Sequence, residues 1–422
     1  MDGLVQSVVY ETSSPANIYS ATVMRMVDGD QKIVMVASKK DMITLESKIV
    51  DNKVVTSIVE LNFSNIPSNA EIISIHCINK CKEFDDFVFG ITYALIVEDE
   101  EPVKSVKPET YLNIYSGFPG SSLEAIMENC ITLKLDFVPF QLNHAIYMSE
   151  SQKNGMWLLS GSDKKIHAYK IGEKEILEQK VEEYFIEFEK KEKEEEEEED
   201  TENSIVLCFG TKSFNNYKKR MSFYGCETGY AMFAIVDSEK NKILHRFLER
   251  YESPITVMQL FNIHKKTVDI DNILSGVKDD FIPDCDTVDE KEQICLLVGS
   301  AVESAVVYMN VLKNDLRNAI TLTDSNRHQA IVCALITDVN FDSKNEILLG
   351  TYGNYILNYV YENNNWVEQQ QFDMRDSVYT ICYLDIAGEG VNDVVVMSER
   401  GIHILKHEPS YIVEVLKNRL QL

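Results

Sequence analysis

The stretch EILLGTYGNYILNYVY at residues 346–361 combines an apolar run that ends in a small residue, a short polar turn and a second apolar run with tyrosines. The same pattern returns along the chain. The other six copies read IVMVASKKDMITLES at 33–47, FVFGITYALIV at 87–97 with YLNIY at 111–115, WLLSGSDKKIHAYK at 157–170, MSFYGCETGYAMFAIV at 221–236, ICLLVGSAVESAVVYMN at 294–310 and VVVMSERGIHILKH at 394–407. A hairpin repeated at long intervals is typical of a propeller.

Each propeller blade needs four antiparallel strands, so one more strand should precede and one should follow every hairpin. Such strands can be found, as IVCALIT at 331–337 and WVEQQQFD at 366–373 around the sixth hairpin. The seventh hairpin has no following strand, and LVQSVVY at 4–10 is predicted to fill that place and remove an open edge. The pattern predicts an all-β fold, a single seven-bladed β-propeller with four-stranded blades over residues 1–408. Two propellers or a sandwich remain the alternatives.

Three segments lie outside this repeat. An acidic insertion at about 186–203 contains seven consecutive acids, Glu194 to Asp200, and is predicted to be disordered because like charges repel. A polar insertion at about 264–293 is predicted to emerge on the opposite face and to be mobile. Residues 409–422 are predicted to form an amphipathic C-terminal helix. Its candidate partner-binding residues are Tyr411, Ile412, Val415, Leu416 and Leu420.

The formal net charge of −27 makes nucleic acid and anionic membranes unlikely direct partners. No uncharged apolar run reaches about 18 residues, so we expect no direct membrane insertion. The first residues, MDGLVQSVVYETSSP, do not resemble a secretion signal. Most of the nine cysteines sit in apolar strand-like runs, which is typical of reduced thiols in a cytoplasmic protein.

A candidate metal site is DVNFDSKNE at 338–346, between the first two predicted strands of the sixth blade. Its oxygen-bearing side chains stand at positions 1, 3, 5 and 9: Asp338, Asn340, Asp342 and Glu346. Alternating oxygen ligands followed by a carboxylate can wrap a hard cation such as calcium. The loop resembles the FG-GAP loops of integrin-type propellers. The alternative is a polar loop whose Asp side chains accept its own backbone amides, without an ion.

The last blade has a degraded copy at the matching place, DIAGEGVND at 385–393. It keeps Asp385, Glu389 and Asp393 but has Ala387 at the third position. This second loop is a weaker calcium candidate for that reason. The two loops give the last two blades their predicted FG-GAP-like character.

Catalytic and cofactor-binding residues are not predicted. The inner strands offer mainly aliphatic side chains, and His76, His144 and His167 fall within strands, where we interpret them as structural. GSD at 161–163 is not the nucleophile turn of a hydrolase, because no helix follows Ser162. GFPGSS at 117–122 lacks the lysine of a phosphate-binding loop. The sequence therefore favours a binding protein over an enzyme.

Once the blades are written out, particular copies resemble the kaptin family. The matching stretches occur in order: LNIY at 112–115, LKLDFVPFQLNHA at 133–145, LLSGSDKKIHAYK at 158–170, GCETGY at 225–230, GSAVESAVVY at 299–308, the TDVNFD…GTYG stretch at 337–353 and VNDVVVMSERGIHILKH at 391–407. The Glu/Lys tract at 189–202 departs from the family pattern.

This resemblance implies a non-enzymatic scaffold. Kaptin-family proteins are subunits of the KICSTOR complex, which holds a GATOR-type GTPase-activating complex at the lysosome, so that amino-acid or glucose shortage switches off TOR complex 1. The implied partners are an FG-GAP repeat propeller and a large scaffold subunit. The implied location is the cytoplasm, with recruitment to the lysosomal membrane.

Two other functions remain open. The family is also described as actin-associated, which implies a place at actin-rich cell edges. A direct contact with acidic filaments needs a basic patch such as Lys218, Lys219 and Arg220. The other alternative is a calcium-dependent integrin-like binding module.

Overall fold

The computed structural model describes residues 4–12, 16–26, 31–36, 41–50, 53–80, 85–95, 108–118, 120–149, 152–172, 174–189, 204–215, 217–264 and 293–420. Residues 190–203 of the predicted acidic insertion, the polar insertion between residues 265 and 292, Cys81, Cys285 and the last two residues lie outside this part. The seven cysteines inside it are all free thiols. The first residues of the acidic insertion are ordered: Ile186–Phe188 form a 3₁₀ turn in which Glu187 and Phe188 are buried.

The described strands form seven four-stranded antiparallel sheets. The strand β1 (Leu4–Glu11) begins the chain and belongs to the last sheet. The first three sheets along the chain are β2 (Ala21–Arg25), β3 (Gln31–Val36), β4 (Met42–Val50) and β5 (Lys53–Leu61); β6 (Ala70–Asn79), β7 (Phe87–Leu95), β8 (Glu109–Ser116) and β9 (Cys130–Leu135); β10 (Pro139–Ser149), β11 (Gln152–Gly161), β12 (Ile166–Ile171) and β13 (Ile176–Gln179).

The remaining strands follow the same order. They are β14 (Val206–Phe214), β15 (Lys219–Cys226), β16 (Tyr230–Asp237) and β17 (Lys242–Arg250); β18 (Ile255–Asn262), β19 (Ile294–Ser300), β20 (Val306–Tyr308) and β21 (Ala319–Thr321); β22 (Ile331–Thr337), β23 (Glu346–Thr351), β24 (Tyr355–Glu362) and β25 (Asn365–Asp373); and β26 (Val378–Leu384), β27 (Asp393–Ser398) and β28 (Gly401–His407), which β1 completes.

Burial differs between the second strands and an outer strand. The second strands β19, β23 and β27 are buried at every residue, because neighbouring sheets cover both of their faces. Such strands read as continuous apolar runs instead of alternating ones. The outer strand β17 is largely exposed and carries charged residues. This difference explains why the repeated hairpin, which contains the second and third strands, is the clearest signal in the sequence.

The hydrophobic core lies between sheets. Each cluster of buried side chains combines residues from two sheets that follow each other around the molecule. One further cluster joins the last sheet to the first, with Leu384 and Val395 packed against Ile43 and Leu45. The sheets therefore close into a ring, and the prediction of an all-β propeller with four-stranded blades is confirmed.

The first and last described strands pair in one sheet. The strand β1 pairs antiparallel with β28, from Leu4 opposite His407 to Glu11 opposite Gly401. A polar contact reinforces this ladder: the Gln6 amide lies 3.0 Å from Nδ1 of His403, whose Nε2 lies 2.8 Å from the Ser398 hydroxyl. This pairing removes the edge that β28 would otherwise expose.

A tyrosine also crosses the ring near the inner strands. The hydroxyl of Tyr19, just before β2, donates to the Leu207 carbonyl in β14 at 2.6 Å. Its backbone carbonyl accepts from the Ile75 amide at 3.0 Å. Tyr19 thus links the first, second and fourth sheets, which lie in different parts of the ring.

Short helices interrupt the strand pattern. The predicted C-terminal helix is confirmed as α3 (Pro409–Leu420), whereas α1 (Leu123–Glu128) and α2 (Val311–Asn314) were not predicted. Helices of six and four residues are too short to show a helical period. No helix in the described residues is long and apolar enough to cross a membrane.

Candidate functional site

The Asp loop, residues 338–346, joins β22 to β23 and has a compact backbone. The side chain of Asn340 accepts the Asp342 amide at 2.8 Å, and Asp342 in turn accepts the Lys344 amide at 2.8 Å. Phe341 and Ser343 adopt left-handed conformations, with φ of 62° and 69°. Asp and Asn side chains that bond to amides two residues later stabilise tight turns of this kind.

This backbone brings three carboxylates together. Oxygen atoms of Asp338, Asp342 and Glu346 lie within 4.8 Å of one another. Asp338 accepts the Ser343 amide at 3.2 Å, and Glu346 accepts the Val339 amide at 2.6 Å. The side-chain oxygen of Asn340, the fourth predicted ligand, accepts an amide of the same loop. Both interpretations of the sequence therefore have a structural basis: acidic groups converge, and backbone amides bond to them.

Glu346 is a buried member of this cluster with a raised pKa. It is only 1% exposed. Burial raises its pKa to about 8, and the negative charges of Asp342 and Asp338 act in the same direction. A buried carboxylate beside two others is stabilised either by a proton or by a cation. The donor set, three carboxylates, is one that a hard divalent cation such as calcium prefers.

The second loop, residues 385–393, is arranged differently. Asp385 accepts the amides of Glu389 and Gly390, at 3.0 and 2.6 Å. Asp393 lies 3.6 Å from the ammonium group of Lys406. In the described part of the chain, these three acids form no carboxylate cluster like that of the Asp loop. Burial raises the pKa of Asp393 to about 6, although Lys406 opposes that shift.

The strand registers explain why the two loops differ. In the sixth sheet Ile347 pairs with Tyr359, which places Val360 beside Glu346. In the last sheet Val394 pairs with Leu405, which places Lys406 beside Asp393. A lysine thus provides a positive charge in the second loop at the position where the Asp loop has an apolar side chain. In the Asp loop, the corresponding residue Val360 carries no charge and cannot compensate the carboxylate of Glu346.

The C-terminal helix packs onto the Asp loop. The hydroxyl of Tyr411 donates to the Asn340 carbonyl at 3.0 Å, and the Arg419 guanidinium donates to the Phe341 carbonyl. The Phe341 ring lies 4.7 Å from the His407 ring, which stacks on Tyr411 at 5.9 Å. The sequence showed an apolar helix face but did not show this contact, because the residues involved are about 70 positions apart.

The predicted partner-binding residues of the helix divide into two groups. Tyr411, Ile412 and Val415 are half-buried. Leu416 is 52% exposed, and its neighbour Val413 is 48% exposed. The side chain of Leu420 lies outside the described residues. The exposed apolar surface of the helix therefore consists of Val413 and Leu416.

The prediction that Lys218, Lys219 and Arg220 form a basic surface patch for actin is wrong for Arg220. Arg220 is 1% exposed and donates to both oxygens of Glu187, at 2.6 and 2.7 Å. It also donates to Asn241 and lies 4.7 Å above the Phe185 ring. Strand residues alternate between faces, so Arg220 points into the protein and cannot contact a filament.

The three strand histidines all lie against aromatic rings. His76 and His144 pack edge-on against Trp157, and burial lowers their pKa to about 4 and about 3. His167 stacks on Phe137 at 4.0 Å. Its two nitrogens lie 2.9 Å from Asp163 and 2.7 Å from Glu178, so two carboxylates hold it in place. These two carboxylate partners were not anticipated from the sequence.

Comparison with known proteins matches almost the whole chain to one family. The family model described as KICSTOR complex protein kaptin matches residues 6–417. The KICSTOR complex protein kaptin of Mus musculus is 29% identical over 419 residues, which covers 97% of this chain and 89% of the mouse protein.

Solved structures show a similar fold. Two crystal structures of BBS1N in complex with ARL6DN, soaked with mercury or with lead, align with TM-scores of 0.52 and 0.53. They cover 97% and 96% of this chain and 98% of each BBS1N chain, at 7% and 8% identity. At sequence identities this low, the structural similarity shows a shared fold and nothing about function.

Proposed function

The chain belongs to the family of the KICSTOR complex protein kaptin, and from this premise we propose that it is a non-enzymatic scaffold subunit of a KICSTOR-type complex. The observation that carries the proposal is the length of the match, since residues 6–417 include all the described strands except the first two residues of β1, and most of the C-terminal helix. A match of this extent supports a shared surface as well as a shared fold.

In this role the protein binds an FG-GAP repeat propeller partner and a large scaffold subunit. The assembled complex recruits a GATOR-type GTPase-activating complex to lysosomes and thereby lowers TOR complex 1 signalling when amino acids or glucose are scarce. The protein is cytoplasmic and reaches the lysosomal membrane through its partners. A closed ring of rigid sheets suits this task, because it presents loops and edges to several partners at fixed distances.

The proposal is tested by purifying the tagged full-length chain from its own cells and identifying bound proteins by mass spectrometry. We expect an FG-GAP propeller protein and a large scaffold protein in stoichiometric amounts. Recovery of neither protein, from cells shown to express both, overturns the proposal.

The exposed part of the C-terminal helix is the candidate partner surface within this experiment. Leu416→Asp places a charge on an exposed residue without disturbing the core. Leu248→Asp, on β17 with 36% exposure, is the matched control. Loss of one partner from the first variant alone assigns that partner to the helix, whereas equal capture by both variants places it elsewhere.

A second candidate function, calcium binding, is favoured by the converging carboxylates of the Asp loop. We propose that Asp338, Asp342 and Glu346 hold the ion and that Asn340 supports the turn around it. Calorimetric titration of the purified chain with calcium tests this. We expect binding that Asp342→Asn abolishes and Asp385→Asn preserves, because Asp385 lies in the loop whose Asp393 is neighboured by Lys406. The absence of binding heat for the unmodified chain at several temperatures ends this proposal.

A further inference from the structure

The outer edges of the sheets differ in how well they are protected. An outer strand offers unpaired backbone groups that can pair with another chain, and proteins block such edges with short strands, charges or bulges. Two of the seven outer strands here are short: β13 has four residues and β21 has three.

Four further outer strands carry a bulge, a charge or both. The ladders of β1, β17 and β25 each shift register, which leaves Ser7, Leu244 and Gln369 without an opposite residue. The strand β9 contains Lys134, whose ammonium lies 2.5 Å from Glu109. An approaching strand therefore meets an irregular or charged edge at each of these positions.

The strand β5 is long and has no register shift, and its two charged residues, Lys53 and Glu60, stand only near its ends. It pairs with β4 over nine residues without a register shift, from Met42 opposite Leu61 to Val50 opposite Lys53. Residues 54–59 read VVTSIV and contain no charge or proline. Val55 is 49% exposed, and residues 56–59 are half-buried. Among the outer strands of the described chain, β5 therefore has the longest regular and uncharged edge.

We infer that the outer edge of β5 binds an extended, uncharged, β-branched segment of another protein as a fifth strand of its sheet. Backbone hydrogen bonds provide affinity in this mode of recognition, and side chains at alternate positions provide specificity. The hydroxyl of Tyr10 donates to the Thr56 carbonyl at 2.7 Å. The Thr56 carbonyl is therefore accessible from outside the β4–β5 ladder, and a fifth strand has to replace the Tyr10 hydroxyl there.

The net charge of the chain decides whether a second copy or a different protein binds at the β5 edge. A regular edge can also pair with itself in a second copy of the chain, but two copies that each carry a net charge of −27 repel each other. The exposed carboxylate of Glu60 lies at the end of the uncharged run and favours a basic residue at one end of the bound segment. The occupant is therefore a strand of a different protein, neutral along its length and basic at one end.

A synthetic peptide tests this inference without knowledge of the natural partner. The probe is the fluorescently labelled, amidated peptide Thr-Val-Thr-Val-Thr-Val-Lys, titrated with the full chain and followed by anisotropy. We expect saturable binding and slower amide hydrogen exchange in residues 53–61. The same peptide with an N-methyl group on every residue has no backbone donor on either edge, cannot form a ladder and should not bind.

Variants locate the peptide on the edge. Val55→Lys should weaken binding at least tenfold, and Glu60→Lys several-fold. The matched control Leu244→Lys adds the same charge to the exposed β17 edge and should leave affinity unchanged. Thermal unfolding of each variant establishes that it remains folded.

The inference is overturned by no binding to the unmodified chain, by equal binding to the Val55→Lys variant, or by protection outside residues 53–61. A dimer in sedimentation that Val55→Lys dissociates shows that a second copy occupies the edge and also overturns it. The test concerns a strand edge and stands apart from membership of a KICSTOR-type complex, so either proposal can fail alone.

Discussion

The buried ion pair between Glu187 and Arg220 provides the sharpest test of how the ring is held together. Glu187 lies in a 3₁₀ turn after the third sheet, and Arg220 lies in β15 of the fourth. Both are 1% exposed. Glu187→Gln keeps the shape of the side chain and removes its charge, so the change in unfolding free energy reports electrostatics instead of a cavity.

The magnitude follows from what Arg220 keeps. After the substitution its guanidinium retains the Asn241 oxygen at 2.9 Å and the Phe185 ring, but it has no anion and no access to water. Removing one partner of a buried pair costs about 3–5 kcal/mol. A domain is stable by only about 5–15 kcal/mol, so this loss is a large part of the total. The double variant Glu187→Gln with Arg220→Met also removes the remaining positive charge and should recover much of the lost unfolding free energy.

Urea denaturation followed by tryptophan fluorescence and circular dichroism measures the effect. The control is Glu109→Gln, since Glu109 and Lys134 also form a close ion pair, at 2.5 Å, but are 43% and 56% exposed. Solvent and salt screen an exposed pair, so Glu109→Gln should change the unfolding free energy far less. The reasoning is refuted if Glu187→Gln costs no more than Glu109→Gln, or if the double variant loses the sum of the two single changes.

Three further predictions concern the loops and the helix. Glu346 has a pKa of about 8 in the folded chain against an ordinary 4.5, so the folded state keeps a proton that the unfolded state has lost between these values. Without calcium the free energy of unfolding should therefore fall by at most about 1.4 kcal/mol per pH unit from pH 5 to 8, and urea titrations of Glu346→Gln should lack this slope. Burial opposes the charged form of His167, but hydrogen bonds to Asp163 and Glu178 outweigh it and raise the pKa above 6.5. This stabilisation is complete below pH 6.5 and is lost as pH rises through the folded pKa, and NMR titration of Asp163→Asn should show a lower His167 pKa. Tyr411→Phe removes a hydrogen bond to the Asp loop and should cost about 1 kcal/mol and speed hydrogen exchange in residues 338–346, whereas unchanged exchange contradicts the packing of the helix on the loop.

The second strands of the sheets were predictable because burial on both faces leaves a continuous run of apolar residues in the sequence. Runs such as ICLLVGS in β19 and EILLGT in β23 are buried throughout, and the small residue at their end marks the turn. The outer strands are half-exposed and carry mixed residues, so their limits were less certain. The helices α1 and α2 left no period that could be read.

Candidate site residues taken from the sequence lie together in the structure only where they are also neighbours along the chain. The carboxylates of the Asp loop lie within nine residues, and the fold brings three of them together. The basic run at 218–220 looked like a surface patch, but Arg220 pairs with a residue 33 positions earlier. A local pattern cannot show which face of a strand is covered.

The sequence by itself determined the repeated hairpins, the four-stranded blades and the family, because these depend on the order of apolar and polar residues along the chain. Only the tertiary structure decided that Lys406 neighbours Asp393 while Val360 neighbours Glu346, and that Tyr411 closes over the Asp loop. The physical reason is that charge compensation and burial depend on side chains from separate strands, whose contacts form only when the ring closes.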